Sequence, residues 1–187
     1  MQFDKFEQFI ASVDSDLQKI FDYQKEYIFC KKGCSLCCEH GDYPLSELEF
    51  HYLYTAYEQL NDSIKTEINK NIEEIKKQNL ELYSCPFLIN NSCSVYNNRP
   101  FVCRSFGVLT EDAQGNPAYP LCATKGLNFS QLYDKEKKLL SFALVEQYGF
   151  KVYPKIFRLN NKVIMNLPLA KYLGIDFGKA KRMIDFF

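Results

Sequence analysis

The side chains in this sequence best suited to chemistry are eight cysteines, all of which lie between residues 30 and 122. They fall into two groups along the chain, which are Cys30, Cys34, Cys37 and Cys38, and then Cys85, Cys93, Cys103 and Cys122. The spacing of Cys34 and Cys37 lets one turn of backbone direct two thiolates at one metal ion. Soft thiolates select zinc or iron–sulfur clusters over magnesium or calcium. The sequence therefore predicts a zinc or iron site, with all eight cysteines as candidate ligands and both groups contributing.

The spacing leaves open how many ions these cysteines hold. Eight thiolates suffice for two sites of four, or for one site with further cysteines around it. Because Cys37 and Cys38 are adjacent, their side chains are expected to diverge and to serve different irons, different sites, or one site and the core. Cys30 and Cys122 also fit ordinary buried cysteines, and His40 is an alternative ligand near the first group.

Disulfide bonds are another use of clustered cysteines, and the predicted compartment argues against them. The N-terminal residues have neither the basic stretch nor the continuous apolar segment of a signal peptide. No run approaches the roughly 18 apolar residues of a membrane span. We therefore expect a cytoplasmic protein with no membrane partner, in which clustered cysteines bind metal or react instead of pairing.

The composition is that of a folded globular protein. The chain has 187 residues, of which 47% are hydrophobic and 25% charged. Its net charge of zero gives no general attraction to nucleic acid. We expect a single domain over residues 1–187, with an N-terminal helix at 3–28, a cysteine-cluster metal-binding region at 30–122 and a C-terminal helical region at 130–187.

Helical periodicity dominates outside the cysteine region. Apolar residues in steps of three and four from Phe3 to Tyr27 predict the helix over 3–28, with Gln24 as a polar exception. Ser46 and Glu49 form a capping box before a second helix, at 46–60. The other expected elements are a loop at 30–43, a helix at 64–82, a small hairpin around Asn90-Asn91-Ser92, a short helix at 98–106, a loop or hairpin at 107–121, a helix at 130–148, a hairpin at 150–166, and short helices near 168–173 and 177–186. The expected fold class is mainly α (α+β), a helical domain around an irregular Cys-rich centre with one or two small β-hairpins.

The apolar stripe of the 3–28 helix has two interpretations. It fits a helix docked on the core of the same chain. The alternating steps also suit a coiled coil, so the stripe is equally a candidate surface for a protein partner or for self-association.

The cysteine spacing is joined to other residues, and together they resemble a known family. The motif reads Cys30-x3-Cys34-x2-Cys37-Cys38, Cys85-Pro86-Phe87-Leu88, Cys93-Ser94-Val95-Tyr96-Asn97-Asn98-Arg99-Pro100 and Cys103-Arg104. It is similar to the YkgJ-type cysteine-cluster family, which is described as zinc- or iron-chelating domain proteins. The resemblance covers residues 30–122, half of the chain, and implies metal chelation. Some relatives are linked to lysine methylation of flagellin, which keeps an enzymatic function open.

Three residues next to the cysteines are candidate cofactor-binding residues. Arg99 and Arg104 could offset the net charge near −2 of four thiolates on a divalent metal and donate hydrogen bonds to sulfur. Arg104 directly follows Cys103, which predicts a place beside the ligands instead of at the surface. Tyr96 could pack over the site or donate its hydroxyl.

Three functions are consistent with the sequence. The first is a metal-binding protein whose site is structural or stores the ion. The second is an iron–sulfur enzyme of the redox or methyl-transfer type, although no Gly-rich nucleotide loop supports a second cofactor. The third is a protein-interaction module folded by zinc, with the 3–28 helix as its contact surface.

Overall fold

The computed structural model of the chain describes residues 2–31, 33–112 and 115–187. Its longer helices come first and its short helices and two-residue strands follow, which confirms the mainly α class with small hairpins. The helices are α1 (Gln2–Gln24), α2 (Leu36–Glu39), α3 (Glu47–Glu58), α4 (Asp62–Gln78), α5 (Phe101–Arg104), α6 (Ala143–Gln147), α7 (Asn161–Met165) and α8 (Pro168–Leu173). The strands are β1 (Pro44–Ser46), β2 (Leu88–Ile89), β3 (Ser92–Cys93), β4 (Thr110–Glu111), β5 (Pro117–Ala118), β6 (Tyr133–Asp134), β7 (Leu139–Leu140) and β8 (Ala180–Arg182).

Helix α1 buries its apolar stripe inside the chain. Phe6, Phe9 and Leu17 are almost fully buried and pack in one cluster with Phe101 of α5 and Phe177. The helix continues as a 3-10 turn over Lys25–Tyr27, so the element spans nearly the expected range. This packing supports the docked interpretation, and the stripe does not face outward as a partner surface.

Gln24, the polar exception in the stripe, is fully buried and ties α1 to two distant loops. Its side-chain amide donates to the carbonyl oxygens of Leu109 at 3.0 Å and Lys155 at 2.6 Å. The Leu109 amide in turn donates to the Gln24 side-chain oxygen at 2.9 Å. A buried amide is stable only when its donors and acceptor are paired, and these bonds pair them.

Helix α3 begins with the expected capping box, and its glutamate does more than cap. Ser46 donates from its backbone amide and its hydroxyl to the Glu49 carboxylate, at 2.9 and 2.8 Å. The other carboxylate oxygen accepts a hydrogen bond from the Phe101 amide at 2.8 Å. Glu49 therefore connects the start of α3 to the start of α5, the helix that carries Cys103.

The two hairpins expected near the cysteines are present. Strands β2 and β3 pair antiparallel across Asn90 and Asn91, whose φ angles of 48° and 59° are the left-handed values that asparagine tolerates. Strands β4 and β5 form the second hairpin, and residues 113 and 114 between them lie outside the described residues. Helix α5 is shorter than the expected 98–106 helix, and Pro100 caps it instead of lying in its first turn.

The helix predicted over 130–148 is wrong. A 3-10 turn (Ser130–Leu132) leads into the β6–β7 hairpin, and only α6 is α-helical. The Asp134 carboxylate accepts hydrogen bonds from the Glu136 and Lys137 amides, both at 3.0 Å. These local bonds satisfy the backbone in a turn and so compete with the helix that the apolar spacing suggests.

The hairpin predicted over 150–166 is also wrong, and the chain end is only partly as expected. Asn160 accepts from the Val163 amide at 3.0 Å and so caps α7, where a turn between strands was expected. Helix α8 is confirmed. The expected helix at 177–186 is instead β8 followed by a 3-10 turn, because β8 pairs antiparallel with β1 and satisfies its backbone.

We expect Glu49→Ala to destabilise the protein strongly. The change leaves the buried Phe101 amide without an acceptor and removes half of the capping box, for a combined loss of about 2–4 kcal/mol in the free energy of unfolding. Urea denaturation measures the loss. The control is Glu74→Ala, because Glu74 is exposed and forms only a 3.9 Å pair with Lys70. Equal unfolding midpoints for the two variants would contradict the role assigned to Glu49.

Candidate metal centre

Helix α2 presents two adjacent cysteines from the first group. It is a single turn, held by a hydrogen bond from the Cys38 amide to the Ser35 carbonyl oxygen at 2.7 Å. The expectation that Cys37 and Cys38 diverge is wrong, since their sulfur atoms lie 3.7 Å apart. That separation matches the edge of a tetrahedron of thiolates, which is about 3.8 Å for metal–sulfur bonds of about 2.3 Å.

The second group is organised by the β2–β3 hairpin and by α5. The Leu88 amide donates to the Cys85 carbonyl oxygen at 3.0 Å, and Leu88 pairs with Cys93 across the hairpin. This turn therefore holds Cys85 and Cys93 on one short unit. Cys103 lies on α5, whose first amide is fixed by Glu49.

The two groups meet through a backbone hydrogen bond. The Cys85 amide donates to the Cys38 carbonyl oxygen at 2.7 Å, and the Ser84 hydroxyl donates to the same oxygen at 3.4 Å. The contact brings together five cysteines that act on one another electrostatically. This set, called the inner group below, is Cys37, Cys38, Cys85, Cys93 and Cys103.

Burial and mutual repulsion hold most of the inner group as neutral thiols when no cation is bound. Burial raises the pKa of Cys85 to about 12, with charge on Cys93 and Cys37 adding to the rise. Burial likewise raises the pKa of Cys103 well above its usual value. Charge on Cys85 and Cys93 raises this pKa further. A bound cation would favour the thiolates over the neutral thiols. Metal ligation requires thiolates, and the positive charge of the cation compensates their negative charge.

The hydrogen bond between the thiol groups of Cys37 and Cys38 shifts their two pKa values in opposite directions. The hydrogen bond from Cys38 lowers the pKa of Cys37 to about 7 and raises the pKa of Cys38 far above its usual value. Cys37 therefore ionises more readily than the other thiols of the inner group, next to a thiol that would lose its proton to an incoming metal.

The other three cysteines form a more open set, called the outer group below, which adjoins the inner group because charge on Cys30 acts on the pKa of Cys37. It consists of Cys30 and Cys34, which are exposed, and Cys122, which is buried. A hydrogen bond from Cys122 is the largest influence on Cys30 and lowers its pKa to about 6, with further bonds from Asn128 and Cys34. Cys34 and Cys37, whose spacing predicted one shared ion, therefore lie in different groups.

Asn128 organises the outer group, although no motif in the sequence pointed to it. It is fully buried, and its side-chain oxygen accepts from the amides of Phe29 at 2.8 Å and Cys30 at 3.0 Å. Its amide nitrogen donates to the Gly107 carbonyl oxygen at 2.8 Å. Gly107 has φ of 100°, and a Cβ there would lie 2.8 Å from the Asn128 nitrogen, so a glycine is required.

The three candidate cofactor-binding residues occupy different environments. The Arg99 guanidinium lies 4.0 Å from the ring centroid of Tyr96, whose side chain is 60% exposed. Burial raises the pKa of Cys93, and the Arg99 charge opposes that rise, which places Arg99 beside the inner group. Tyr96 stacks against Arg99 and makes no described hydrogen bond to a cysteine.

Arg104 is buried as expected, but its donors are directed away from sulfur. They bind the Arg99 carbonyl oxygen at 2.8 Å, the Asn97 carbonyl oxygen at 2.7 Å and the Asp14 carboxylate of α1 at 2.6 Å. Arg104 therefore fixes the loop that carries Arg99 and anchors it to α1. The expectation that it donates to the thiolates is replaced by an indirect effect through these carbonyl groups.

The donor chemistry fits a soft metal, although the donors are not yet arranged around one. All eight cysteines are free thiols in the structure, and no disulfide joins them. His40 is exposed. Within residues 2–31, 33–112 and 115–187, no three Cys, His, Asp or Glu side chains already form a coordination shell. Metal binding would therefore require the gathered thiols to close on the ion.

Comparison with known proteins identifies the cysteine region. A family model named CxxCxxCC, described as "Putative zinc- or iron-chelating domain", matches residues 29–123, just over half of the chain. No curated protein matches, and no solved structure does either. In the part of the chain that the structure describes, no helix has the length and apolar character to cross a bilayer.

We expect Cys30 to react first with iodoacetamide in the reduced, metal-free protein. It is exposed and its pKa is about 6, so alkylation should reach half its maximal rate near that pH. Cys122→Ala removes the largest cause of the shift and should move the midpoint toward about 8.5, the usual value for cysteine. Peptide mass spectrometry follows the alkylation of each cysteine. An unchanged midpoint in the variant would disprove the Cys30–Cys122 interaction.

Proposed function

Because the chain belongs to the CxxCxxCC family of zinc- or iron-chelating domains, we propose that it binds a zinc or iron ion through thiolates of the inner group. Cys85, Cys93 and Cys103 supply three ligands, and Cys37 or Cys38 supplies the fourth. The ion, when bound, supplies the positive charge that lets buried thiols ionise and link distant parts of the chain.

The observation that carries the proposal is the hydrogen bond between the Cys85 amide and the Cys38 carbonyl oxygen, at 2.7 Å. It brings two cysteine segments that are far apart in sequence to one place. Without a cation, five thiols gathered there gain little from their proximity, because charge on Cys37 and Cys93 raises the pKa of both Cys85 and Cys103. When a divalent ion is bound, the proximity of these thiols is favourable, because four soft ligands must surround the ion.

The surroundings of the inner group suit a charged thiolate site. Four thiolates on a divalent ion carry a net charge near −2, and Arg99 lies where its charge acts on Cys37, Cys93 and Cys103. Four cysteine thiolates would hold a structural zinc ion or a common iron–sulfur cluster equally well, so both agree with the ligand set of the inner group.

We assign the site a structural or metal-storing role. A thiolate site persists where cysteines stay reduced, which favours the cytoplasm as the compartment. The enzymatic alternative and the zinc-folded interaction module receive no specific support from these contacts.

We expect each of the changes Cys85→Ser, Cys93→Ser and Cys103→Ser to remove one equivalent of bound metal. A serine hydroxyl is a poor ligand for soft metals, so the shell loses a required donor. The protein should be purified anaerobically and its zinc, iron and sulfide measured. The matched control is Cys34→Ser, because Cys34 belongs to the outer group and is exposed. The control should keep the metal of the inner site.

The same preparations identify the metal. A brown protein containing iron and sulfide indicates a cluster, and a colourless protein with stoichiometric zinc indicates a mononuclear site. Inner-group variants that keep the full metal content of the wild type would refute the proposed ligands.

We expect chelation to loosen residues 85–103 while α1 stays protected. This segment has two-residue strands and a one-turn helix, so metal binding would add to its packing a free energy on the order of 10 kcal/mol for a structural zinc. Helix α1 is held by its buried aromatic cluster and serves as the internal control. Hydrogen exchange before and after metal removal measures both. Unchanged protection over 85–103 after complete removal would contradict a structural role.

A further inference from the structure

Tyr43 has a buried hydroxyl group with no hydrogen-bond partner. The residue follows the inner-group cysteines of α2 and is only 5% exposed. Its hydroxyl is one of two buried side-chain polar atoms, among those described, that have no hydrogen-bond partner within the protein. An unpaired buried hydroxyl costs free energy, so its presence needs an explanation.

The hydroxyl lies in the electrostatic neighbourhood of the inner group. Burial raises the pKa of Tyr43 well above its usual range, and the next contributions come from Cys85, Cys38 and Cys103. Tyr43 and Cys85 also belong to the same hydrophobic cluster. Cys38 and Cys93 pack against that cluster. The unpaired donor and the candidate ligands therefore occupy one enclosed region.

The backbone adopts an uncommon conformation at this residue. Tyr43 has φ of 46°, which is unusual for an aromatic residue. The Met183 amide donates to the Tyr43 carbonyl oxygen at 3.1 Å and helps to hold it. A Cβ on Gly41 would lie 2.9 Å from two ring carbons of Tyr43, so the absence of a side chain there makes room for the ring. Such local strain is often found at functional positions.

A neighbouring tyrosine shows what an ordinary buried hydroxyl looks like in this protein. The ring of Tyr83 lies 5.5 Å from that of Tyr43, centroid to centroid. Its hydroxyl donates to the Asp42 carbonyl oxygen at 3.0 Å and accepts from the Ile184 amide at 3.2 Å. The two tyrosines share a cluster and differ in whether the hydroxyl is satisfied.

We propose that the Tyr43 hydroxyl donates a hydrogen bond to a thiolate sulfur of the inner group when the metal is bound. This rests on the proposed function. A donor role is favoured over direct ligation because a phenolate would add a further negative charge to a shell of four thiolates. A neutral O–H group instead withdraws charge from sulfur and stabilises the loaded site. The donor that is unsatisfied without metal thus gains its partner when the thiols ionise.

The test is Tyr43→Phe, which removes the hydroxyl and keeps the ring. In the metal-free protein we expect an unfolding midpoint equal to or above that of the wild type, because an unsatisfied hydroxyl is lost. In metal competition with a chelator we expect an affinity for zinc that is lower by about 10–100-fold. In the cobalt(II)-loaded protein the sulfur-to-cobalt charge-transfer band should move to longer wavelength, because the sulfur loses a hydrogen bond.

The matched control is Tyr83→Phe. It removes a hydroxyl that is already paired with Asp42 and Ile184, so the metal-free protein should unfold at lower urea concentration. Its zinc affinity should stay within about twofold of the wild type, since the Tyr83 hydroxyl is engaged elsewhere. The two substitutions are chemically identical and should have opposite patterns.

Each result decides the proposal. Equal zinc affinities for the wild type and Tyr43→Phe would overturn it and leave the proposed function intact. A lower affinity together with a destabilised metal-free protein would indicate a packing role and would also overturn it. A change in the cobalt d–d bands that reports a different coordination number would replace the donor role with direct ligation. A wild-type protein that binds neither zinc nor iron would refute the proposed function itself.

Discussion

The hydrogen bond between the Cys85 amide and the Cys38 carbonyl oxygen joins the two cysteine segments, next to the backbone pairing of Gly41 with Tyr83. Each is a short piece of irregular chain, a one-turn helix on one side and a tight hairpin on the other. Both segments pack on one hydrophobic cluster, which contains Cys85, Phe87 and Ile89 and has Cys38 against it. The polar contacts add a defined relative placement to that packing. The proximity of the inner-group thiols depends on this junction together with the β2–β3 hairpin and the fixed start of α5.

The rest of the fold extends the same principle, because buried side chains bind the backbone of distant loops at several points. Glu49 fixes the start of α5, Gln24 holds residues 109 and 155, and Asn128 holds the backbone before Cys30. Such hydrogen bonds are directional, whereas apolar packing is not. They therefore specify the position of a loop in addition to keeping it buried. A centre built from loops needs that kind of positional control.

The sequence predicted the parts of the fold whose signals are local. The stripe of α1, the capping box of α3 and the Asn90-Asn91 turn each follow from spacing within a few residues, and all three are present. The segment 130–148 failed because the Asp134 turn competes with a helix. Strand β8 failed because its partner β1 lies more than 130 residues earlier, and single-sequence periodicity carries no information about such pairing.

The candidate site, like the fold, could be predicted from the sequence only in part. The cysteines and their chemistry are visible in the sequence, and so is the family resemblance of residues 30–122. The partition into inner and outer groups depends on where α2 directs Cys37 and Cys38, which spacing does not encode. Asn128 and Tyr43 could not be found, because an isolated asparagine or tyrosine is common and only burial gives these two a role.

The last residues of the chain close the environment of cysteines near its middle. Met183 and Ile184 pack in the same cluster as Cys85, and their amides bond to Tyr43 and Tyr83. During synthesis the ribosome therefore releases all eight thiols well before it releases the segment that covers the inner group. In that interval the thiols are open to metal ions and to oxidants alike.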